Sequence, residues 1–323
     1  MHVFIDTNIL LNFFHFSKDD LSTLGKIFST HEDGTATVYV TGQVSDEFRR
    51  NRETKINDAL KRFKESIPKP QFPSFMKEYA EYELIKGKAN EIQDVVKLLQ
   101  NKVMKDISEC SLLADKLMEN ILGKSDLLLV TSEIYEAAVR RMASGNPPGK
   151  DRSIGDALNW ILLLSAVPEG QDLHLISEDG DFYSVLDDTL PHGFISHEWT
   201  TAKKSKLFVY RTISAFIKEH FDGVAFTYDT KKSEAIDALR AVGSFAGAHF
   251  AIAELEQFSY FSLKETERIL IAISENNQIG GICTDRDISD FILRISRPLR
   301  ENLLHPQIRE LLKTVIEDRD NDY

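Results

Sequence analysis

The sequence places acidic side chains beside its most apolar segments: Asp6, Glu47, Asp156, Asp179 and Asp181. A carboxylate close to a buried segment needs a partner, because removing an unpaired charge from water is unfavourable. If these acids converge, they cannot all stay ionised without a cation. Ligand sets made only of oxygen select a hard divalent ion such as Mg²⁺ or Mn²⁺. Such a site can activate a water molecule and neutralise a phosphodiester during in-line attack.

Two of these acids have structural explanations linked to the helices that follow the first two predicted strands. Asp6 comes after the apolar run VFI and before a predicted helix, where an aspartate can cap the helix N-terminus. Glu47 lies at helical spacing beside Val44 and Phe48, and its carboxylate could reach water from the edge of that apolar face. Either explanation would suffice if the acid stood alone.

The remaining acids have comparable explanations. Asp156 follows Ser153 by three residues, which is the spacing of a capping box, although the next segment, ALNWILLL, is almost wholly apolar. Asp179 and Asp181 lie in EDGDF, which is typical of an aspartate–glycine turn. Together, however, the acids would surround one cleft, and that convergence favours a functional site.

The elements that would position these acids alternate between strands and helices. Strands are predicted at HVFID, TATVYVT (35–41) and DLHLIS (172–177), and GFIS (193–196) is a candidate fourth strand. The alternation predicts a parallel α/β sheet, whose strands would bring Asp6 and Asp179 to one edge. The helices are predicted over residues 8–30, 44–67, 131–143 and 153–164, with two more between 74 and 121.

Beyond residue 200 the sequence shows no clear strand pattern. Residues 206–221, which include LFVYR, carry helical periodicity, as do residues 231–257 and 263–276. We interpret the first of these segments as a helix that covers the sheet. The expected organisation is therefore a sheet domain over residues 1–200 and a mainly α-helical C-terminal region over residues 201–323.

The composition is that of a globular protein, with 323 residues, 42% hydrophobic and 28% charged. Cys110 and Cys283 offer no metal-ligand spacing and no disulfide framework, so a reducing cytoplasm is the simplest setting. We find no signal peptide and no stretch of membrane-spanning length, and expect no membrane partner. The net charge of -12 argues against a general polyanion binder but allows a local basic patch.

One basic patch follows Glu47 on its predicted helix. The segment RRNRETKINDALKRFK (49–64) carries seven basic and two acidic residues. Charge pairs on a solvated helix face would explain it. In so acidic a chain we favour the alternative, a track of phosphate ligands that leads into the acidic cleft. The candidate phosphate ligands are Arg49, Arg50, Arg52 and Lys55 on this helix, and Lys150 and Arg152 before the Asp156 helix.

Four segments resemble, in order, the acidic motifs of PIN-domain nucleases: FIDTNILL, the Glu47 helix, IGDALNW and LISEDGDF. The resemblance covers about residues 1–200, and the GDALNW and GDF context is similar to that of the larger bacterial PIN-like proteins. The chain differs from the compact PIN toxins by a long helical insertion, residues 68–145, and by its C-terminal region. The resemblance implies a three-layer α/β/α fold built on a parallel sheet.

The resemblance also implies a metal-dependent nuclease, most often one that cuts RNA. By position, the metal-site and catalytic acids would be Asp6, Glu47, Asp156 and Asp179. The first, third and fourth of these would hold the principal Mg²⁺ or Mn²⁺, and Glu47 would complete that site or share a second ion with Asp6. Because no conventional general base is present, we expect the nucleophile to be a water activated by the metal ion.

Neighbouring side chains would support these acids. Asp181 would be an auxiliary acid, and Thr7, Asn8 and Ser177 would orient the metal-site acids through hydrogen bonds. No histidine lies in any of the four motifs. This argues against a mechanism in which histidines activate the 2′-hydroxyl of RNA.

Alternative functions remain open. A structure-specific DNA nuclease would use a related acidic site, and RNA is favoured only by what is usual in the family. A non-catalytic nucleic-acid-binding or scaffold protein would be expected to lose one of the acids, and all of them are present. The C-terminal region could form a homodimer or bind a protein regulator. The resemblance is also compatible with a role as a toxin or in phage defence.

Overall fold

The computed structural model describes residues 1–29, 36–65, 67, 70–125, 127–149, 154–258, 260–297, 299 and 305–321. Lys150, Arg152 and Ser153, which the sequence singles out, lie outside these ranges. Within the described residues, no helix combines the length and the apolar composition that are needed to cross a membrane.

A parallel sheet lies at the centre of the fold, and it confirms the predicted fold class. Two of its inner strands, β1 (His2–Ile5) and β4 (Leu173–Ile176), are almost completely buried, which is typical of a parallel sheet covered on both faces. Ile5 pairs with Ile176, so the residues that follow these two strands lie side by side. In the described residues the sheet order is β3 (Leu127–Leu128), β2 (Thr37–Thr41), β1 (His2–Ile5), β4 (Leu173–Ile176) and β5 (Leu207–Tyr210).

Helices connect the strands and complete the predicted three-layer α/β/α arrangement. The apolar segment ALNWILLL lies in α7 (Ile154–Ala166), which buries Trp160 and Leu163 completely in the core beside the sheet. The helices of this part are α1 (Thr7–Asn12), α2 (Lys18–Ser29), α3 (Gly42–Glu65), α4 (Ala80–Ser108), α5 (Leu113–Lys124), α6 (Ser132–Ala143), α7 (Ile154–Ala166), α8 (Gly193–Lys203) and α9 (Ile213–His220).

The C-terminal region is helical, as expected. A second hydrophobic core, separate from the one around the sheet, extends from Ile236 to Val315 and includes Phe258 and Phe261. The first core reaches Phe226, well beyond residue 200. The C-terminal helices are α10 (Thr227–Ala238), α11 (Phe245–Leu255), α12 (Leu263–Glu275), α13 (Asn277–Gly280), α14 (Arg286–Ser296) and α15 (Pro306–Asn321).

Two secondary-structure predictions near residue 200 are wrong. GFIS begins α8, where the His192 side chain accepts a hydrogen bond from the Phe194 N–H at 3.2 Å and caps the helix. LFVY is the strand β5, which pairs with β4 from Leu207 to Tyr210, and the helix after it begins only at Ile213. A run of four apolar residues is too short for its periodicity to distinguish a strand from a helix. The predicted boundary at residue 200 would cut β5 from the sheet.

Candidate active site

Asp6 directly follows β1 and caps α1. It therefore has the structural role of a helix cap and also lies at the sheet edge where a site acid was expected. Its carboxylate accepts the Thr7 N–H at 2.7 Å and the Ser177 hydroxyl at 2.5 Å, and the residue is 5% exposed. Burial and, to a smaller extent, the charges of Glu47 and Asp179 raise the pKa of Asp6 to about 6. The hydrogen bonds from Ser177 and Thr7 oppose it, because they stabilise the carboxylate.

The segment after β4 brings further acids to the same edge of the sheet. The hydroxyl of Ser177 donates to Asp6 and accepts the Asp179 N–H at 3.0 Å, so one serine links the ends of β1 and β4. Asp179 accepts the N–H of Asp181 at 2.8 Å. Asp181 is buried and accepts the N–H of Gly149 at 3.1 Å. These bonds hold the acidic segment in a defined shape.

Glu47 reaches this edge from the first turns of α3. The Thr7 hydroxyl donates to its Oε2 at 2.9 Å, and the Gln43 side-chain amide donates to its Oε1 at 2.5 Å. Gly155, at the start of α7, lies so close that an added Cβ would stand 2.8 Å from the same oxygen. Glycine therefore allows α3 and α7 to approach here, and Asp156 is the next residue along α7.

Asp156 has the most strongly perturbed carboxyl group of the site. Burial, which is the largest cause, and the charges of the other four acids together raise its pKa to about 8. Those contributions show that acids from four separate segments interact electrostatically. A carboxylic acid with this pKa keeps its proton at neutral pH unless a cation takes the place of that proton.

The chemistry of this donor set fits a hard divalent cation, because it consists of crowded carboxylate oxygens. Among the described residues, however, no group of three or more His, Cys, Asp or Glu side chains is arranged to hold a metal ion. Oxygens of Asp6, Glu47 and Asp179 accept hydrogen bonds from the chain itself. We infer that these side chains would have to turn toward one point before they could bind an ion together.

The structure contradicts the assignment of Arg52 to phosphate binding. Its guanidinium is buried and donates to both carboxylate oxygens of Asp115, at 2.7 Å from Nε and 2.6 Å from Nη2. It also donates to the carbonyl oxygen of Ile107 at 3.0 Å. A buried bidentate pair of this kind joins α3 to α5 and leaves the guanidinium inaccessible to a phosphate.

The other described basic candidates lie closer to solvent. Arg49 and Arg50 are exposed on α3, and Arg50 Nη2 is 3.9 Å from Glu47 Oε1. Lys55 is partly buried and its ammonium donates to Asn12 Oδ1 at 3.2 Å. Arg50 is thus an exposed cation that lies close to one of the acids.

Several residues near the acids were missed by the sequence analysis. Gln43 could have been found, because it lies one helical turn before Glu47 on the same face. Tyr183 donates from its hydroxyl to the Ser177 carbonyl oxygen at 2.7 Å, and no sequence signal pointed to this bond.

Two side chains contact the backbone of Glu178, one at a long distance and one at a short distance. Asn8, a predicted orienting residue, accepts the Glu178 N–H at 3.5 Å, which is a long contact. Arg211 was missed because the sequence pattern predicted a helix over β5, the strand that Arg211 follows. It donates to the Glu178 carbonyl oxygen at 2.8 Å, and its guanidinium carbon lies 3.5 Å from the centre of the Tyr183 ring. Arg211 therefore braces the segment that carries the late acids.

The chain matches a known protein family. A PIN-domain family model matches residues 3–182, from β1 to just beyond β4, which is more than half of the chain. The matched range contains all five acids of the candidate site, whereas β5 and the helices from α8 onward lie outside it. No curated protein and no solved structure matches the chain. The chain belongs to the PIN-domain family.

Proposed function

We propose that this protein is a divalent-metal-dependent endonuclease that hydrolyses phosphodiester bonds of single-stranded RNA. PIN domains are generally nucleases that act on nucleic acid. The observation that carries the proposal is the convergence of Asp6, Glu47, Asp156 and Asp179 at the carboxyl edge of one sheet. Hydrogen bonds through Ser177, the Thr7–Glu47 bond and the close approach of Gly155 to Glu47 support that convergence.

The roles of the side chains follow from their contacts. When bound, Mg²⁺ or Mn²⁺ would neutralise charge on the phosphodiester and lower the pKa of a water molecule. Ser177 favours the ionised form of Asp6 by donating to it. Thr7 and Gln43 together hold the carboxylate of Glu47. Since Asp156 has a pKa of about 8, cation binding at neutral pH would release a proton from it.

The proposed path of the substrate begins at Arg49 and Arg50, which are exposed on the helix that carries Glu47. Their charge would attract phosphates to an otherwise acidic chain. The preference for RNA rests on what is usual in the family. A structure-specific DNA nuclease and a non-catalytic scaffold are the alternatives, and the complete set of acids argues against the scaffold.

The proposal is tested by incubating the purified full chain with single-stranded RNA and DNA oligonucleotides in Mn²⁺, Mg²⁺ or EDTA. Asp6→Asn and Asp179→Asn are the test variants. Asp46→Asn is the matched control, because Asp46 is exposed on α3 beside Glu47 and makes the same change of charge outside the cleft. Because asparagine has nearly the same shape, the variants should stay folded.

We expect cleavage of RNA that needs the metal, disappears in both test variants and persists in Asp46→Asn. Preferential cleavage of DNA would favour the structure-specific DNA nuclease. Cleavage that survives EDTA, or that Asp6→Asn leaves unchanged, would show that the acids are not the reaction centre. Binding of oligonucleotides without cleavage under any condition would favour the scaffold.

A further inference from the structure

One buried arginine joins three helices next to the candidate active site. Arg141 lies on α6 and is 8% exposed. Its Nη1 and Nη2 atoms donate to the two carboxylate oxygens of Glu198 on α8, at 2.9 and 2.7 Å. The indole N–H of Trp160 on α7 donates to the same carboxylate at 2.7 Å. A charge-assisted bidentate pair of this kind fixes the orientation of the guanidinium as well as its position.

The same guanidinium binds the loop that follows α6, residues 144–149, which we call the proline loop. Its Nε donates to the carbonyl oxygen of Pro147 at 3.0 Å, and its Nη2 donates to that oxygen as well. Pro147 and Pro148 have no backbone N–H, so this part of the loop has no donors with which to bond to the rest of the chain. Arg141 therefore fixes the middle of the proline loop from outside it.

The far end of the proline loop contacts the acids. The N–H of Gly149 donates to Oδ2 of Asp181 at 3.1 Å, and the N–H of Asp181 donates to Oδ1 of Asp179 at 2.8 Å. Gly149 has a φ of 129°, which residues with a side chain rarely adopt, so glycine allows its N–H to point at the carboxylate. A short series of contacts therefore leads from Arg141 through the proline loop to the acidic segment after β4.

We propose that Arg141 is a positioning residue for the acidic edge. By holding the proline loop it keeps the Gly149 N–H on Asp181, and this contact fixes the carboxylates of the segment after β4. Glu198 lies outside residues 3–182, so the anchor of Arg141 comes from beyond the part that the family model matches. The consequence for metal binding rests on the proposed function, whereas the consequence for the order of the acidic segment does not.

The test compares hydrogen–deuterium exchange of the metal-free full chain in the wild type, Arg141→Lys and Arg52→Lys. Lysine keeps the charge, but one ammonium cannot reproduce the fork that binds Glu198 and Pro147 together. Arg52 is the matched control, because it also binds a carboxylate, that of Asp115, through two nitrogens and a backbone carbonyl oxygen through a further bond. Because the two buried pairs are alike, both variants should lower the free energy of unfolding by similar amounts.

We expect Arg141→Lys to exchange about tenfold faster in peptides that cover residues 144–149 and 177–182, as the loss of about one hydrogen bond would cause. It should also weaken Mn²⁺ binding, measured by calorimetry, about tenfold. Arg52→Lys should change neither the exchange of these two segments nor Mn²⁺ binding. Gly149→Ala should give both changes while leaving the buried ion pair intact, because alanine disfavours the φ that directs this N–H.

Unchanged exchange of residues 177–182 in Arg141→Lys and Gly149→Ala would overturn the proposal. Equally fast exchange of that segment in Arg52→Lys would also overturn it, because a general loss of stability would then explain the effect. Equal Mn²⁺ binding by the wild type and Arg141→Lys would refute the consequence for the metal site. A wild-type chain that binds no Mn²⁺ would refute the proposed function instead, and the exchange of residues 177–182 would still decide whether Arg141 positions the acids.

Discussion

Replacing Asp156 with asparagine should stabilise the metal-free protein, although the residue belongs to the proposed reaction centre. The substitution keeps the shape of the side chain and removes the charge that its surroundings disfavour. Burial and four neighbouring acids raise the pKa of Asp156 from 3.8 to about 8 in the folded chain. An unfolded chain has no such surroundings, so its Asp156 ionises at the ordinary pKa.

The sign of the effect follows from this difference. Between the two pKa values the folded chain holds a proton that the unfolded chain has lost, so the free energy of unfolding falls as the pH rises. The penalty is absent below the unfolded pKa and complete above about pH 8. Each pH unit contributes at most about 1.4 kcal/mol. Because Asp156 is partly exposed, solvent screening reduces the total penalty. We therefore expect Asp156→Asn to raise the free energy of unfolding by about 1–2 kcal/mol near pH 8.

The assay is urea unfolding in EDTA, followed by tryptophan fluorescence at about pH 5 and about pH 8. Trp160 and Trp199 are both fully buried in the core around the sheet, so the signal reports on the part that carries Asp156. Asp46→Asn, on the exposed side of α3, is the control and should change stability little at either pH. Mn²⁺ should stabilise the wild-type chain more than Asp156→Asn, since the variant lacks one proposed ligand.

Two outcomes would refute the electrostatic argument. One is a loss of stability in Asp156→Asn at both pH values, because the negative charge of the wild-type side chain would then not be destabilising. The other is a gain of equal size at both pH values, because the penalty must grow as the acid ionises. Equal stabilisation of both proteins by Mn²⁺ would remove Asp156 from the proposed ligand set.

Three further substitutions separate the roles of other residues. Gly155→Ala should lower metal-dependent cleavage about tenfold while changing stability little, because the new Cβ would displace the flexible carboxylate of Glu47. Ser177→Ala removes the hydrogen bond that favours ionised Asp6, so the acidic limb of the pH–activity profile should move up by about one pH unit. Arg52→Ala should lower the free energy of unfolding by about 3 kcal/mol, measured by urea denaturation, because it leaves a buried carboxylate unpaired.

The centre of the sheet and its acidic edge could be predicted because both follow from local patterns. HVFI and LHLI are apolar runs that end in polar residues, and parallel strands of this kind are adjacent at one edge. Asp6 and Asp179 could therefore be placed together from the amino-acid sequence alone. The prediction of Glu47 used helical spacing, which is equally local.

The rest depended on tertiary contacts that a short segment does not encode. GFIS and LFVY are both four-residue apolar runs, yet a histidine cap makes the first a helix and pairing with β4 makes the second a strand. Arg52 looked like one of several surface cations, and only the position of Asp115, 63 residues later, shows that it is buried. The spacing of charged residues in the sequence does not show which of them are buried when their partners lie this far along the chain.

The hydrogen bond between Ser177 and Asp6 spans 171 residues, and this has a consequence for biosynthesis. Because β1 pairs with β4, one side of the first strand has no native neighbour until β4 has left the ribosome. At about 5–20 residues per second, roughly ten seconds or more separate the synthesis of these two strands. A growing chain therefore carries Asp6 and Glu47 well before the full acidic edge can assemble, and any fragment that ends before Ser177 lacks the bridge between the strands.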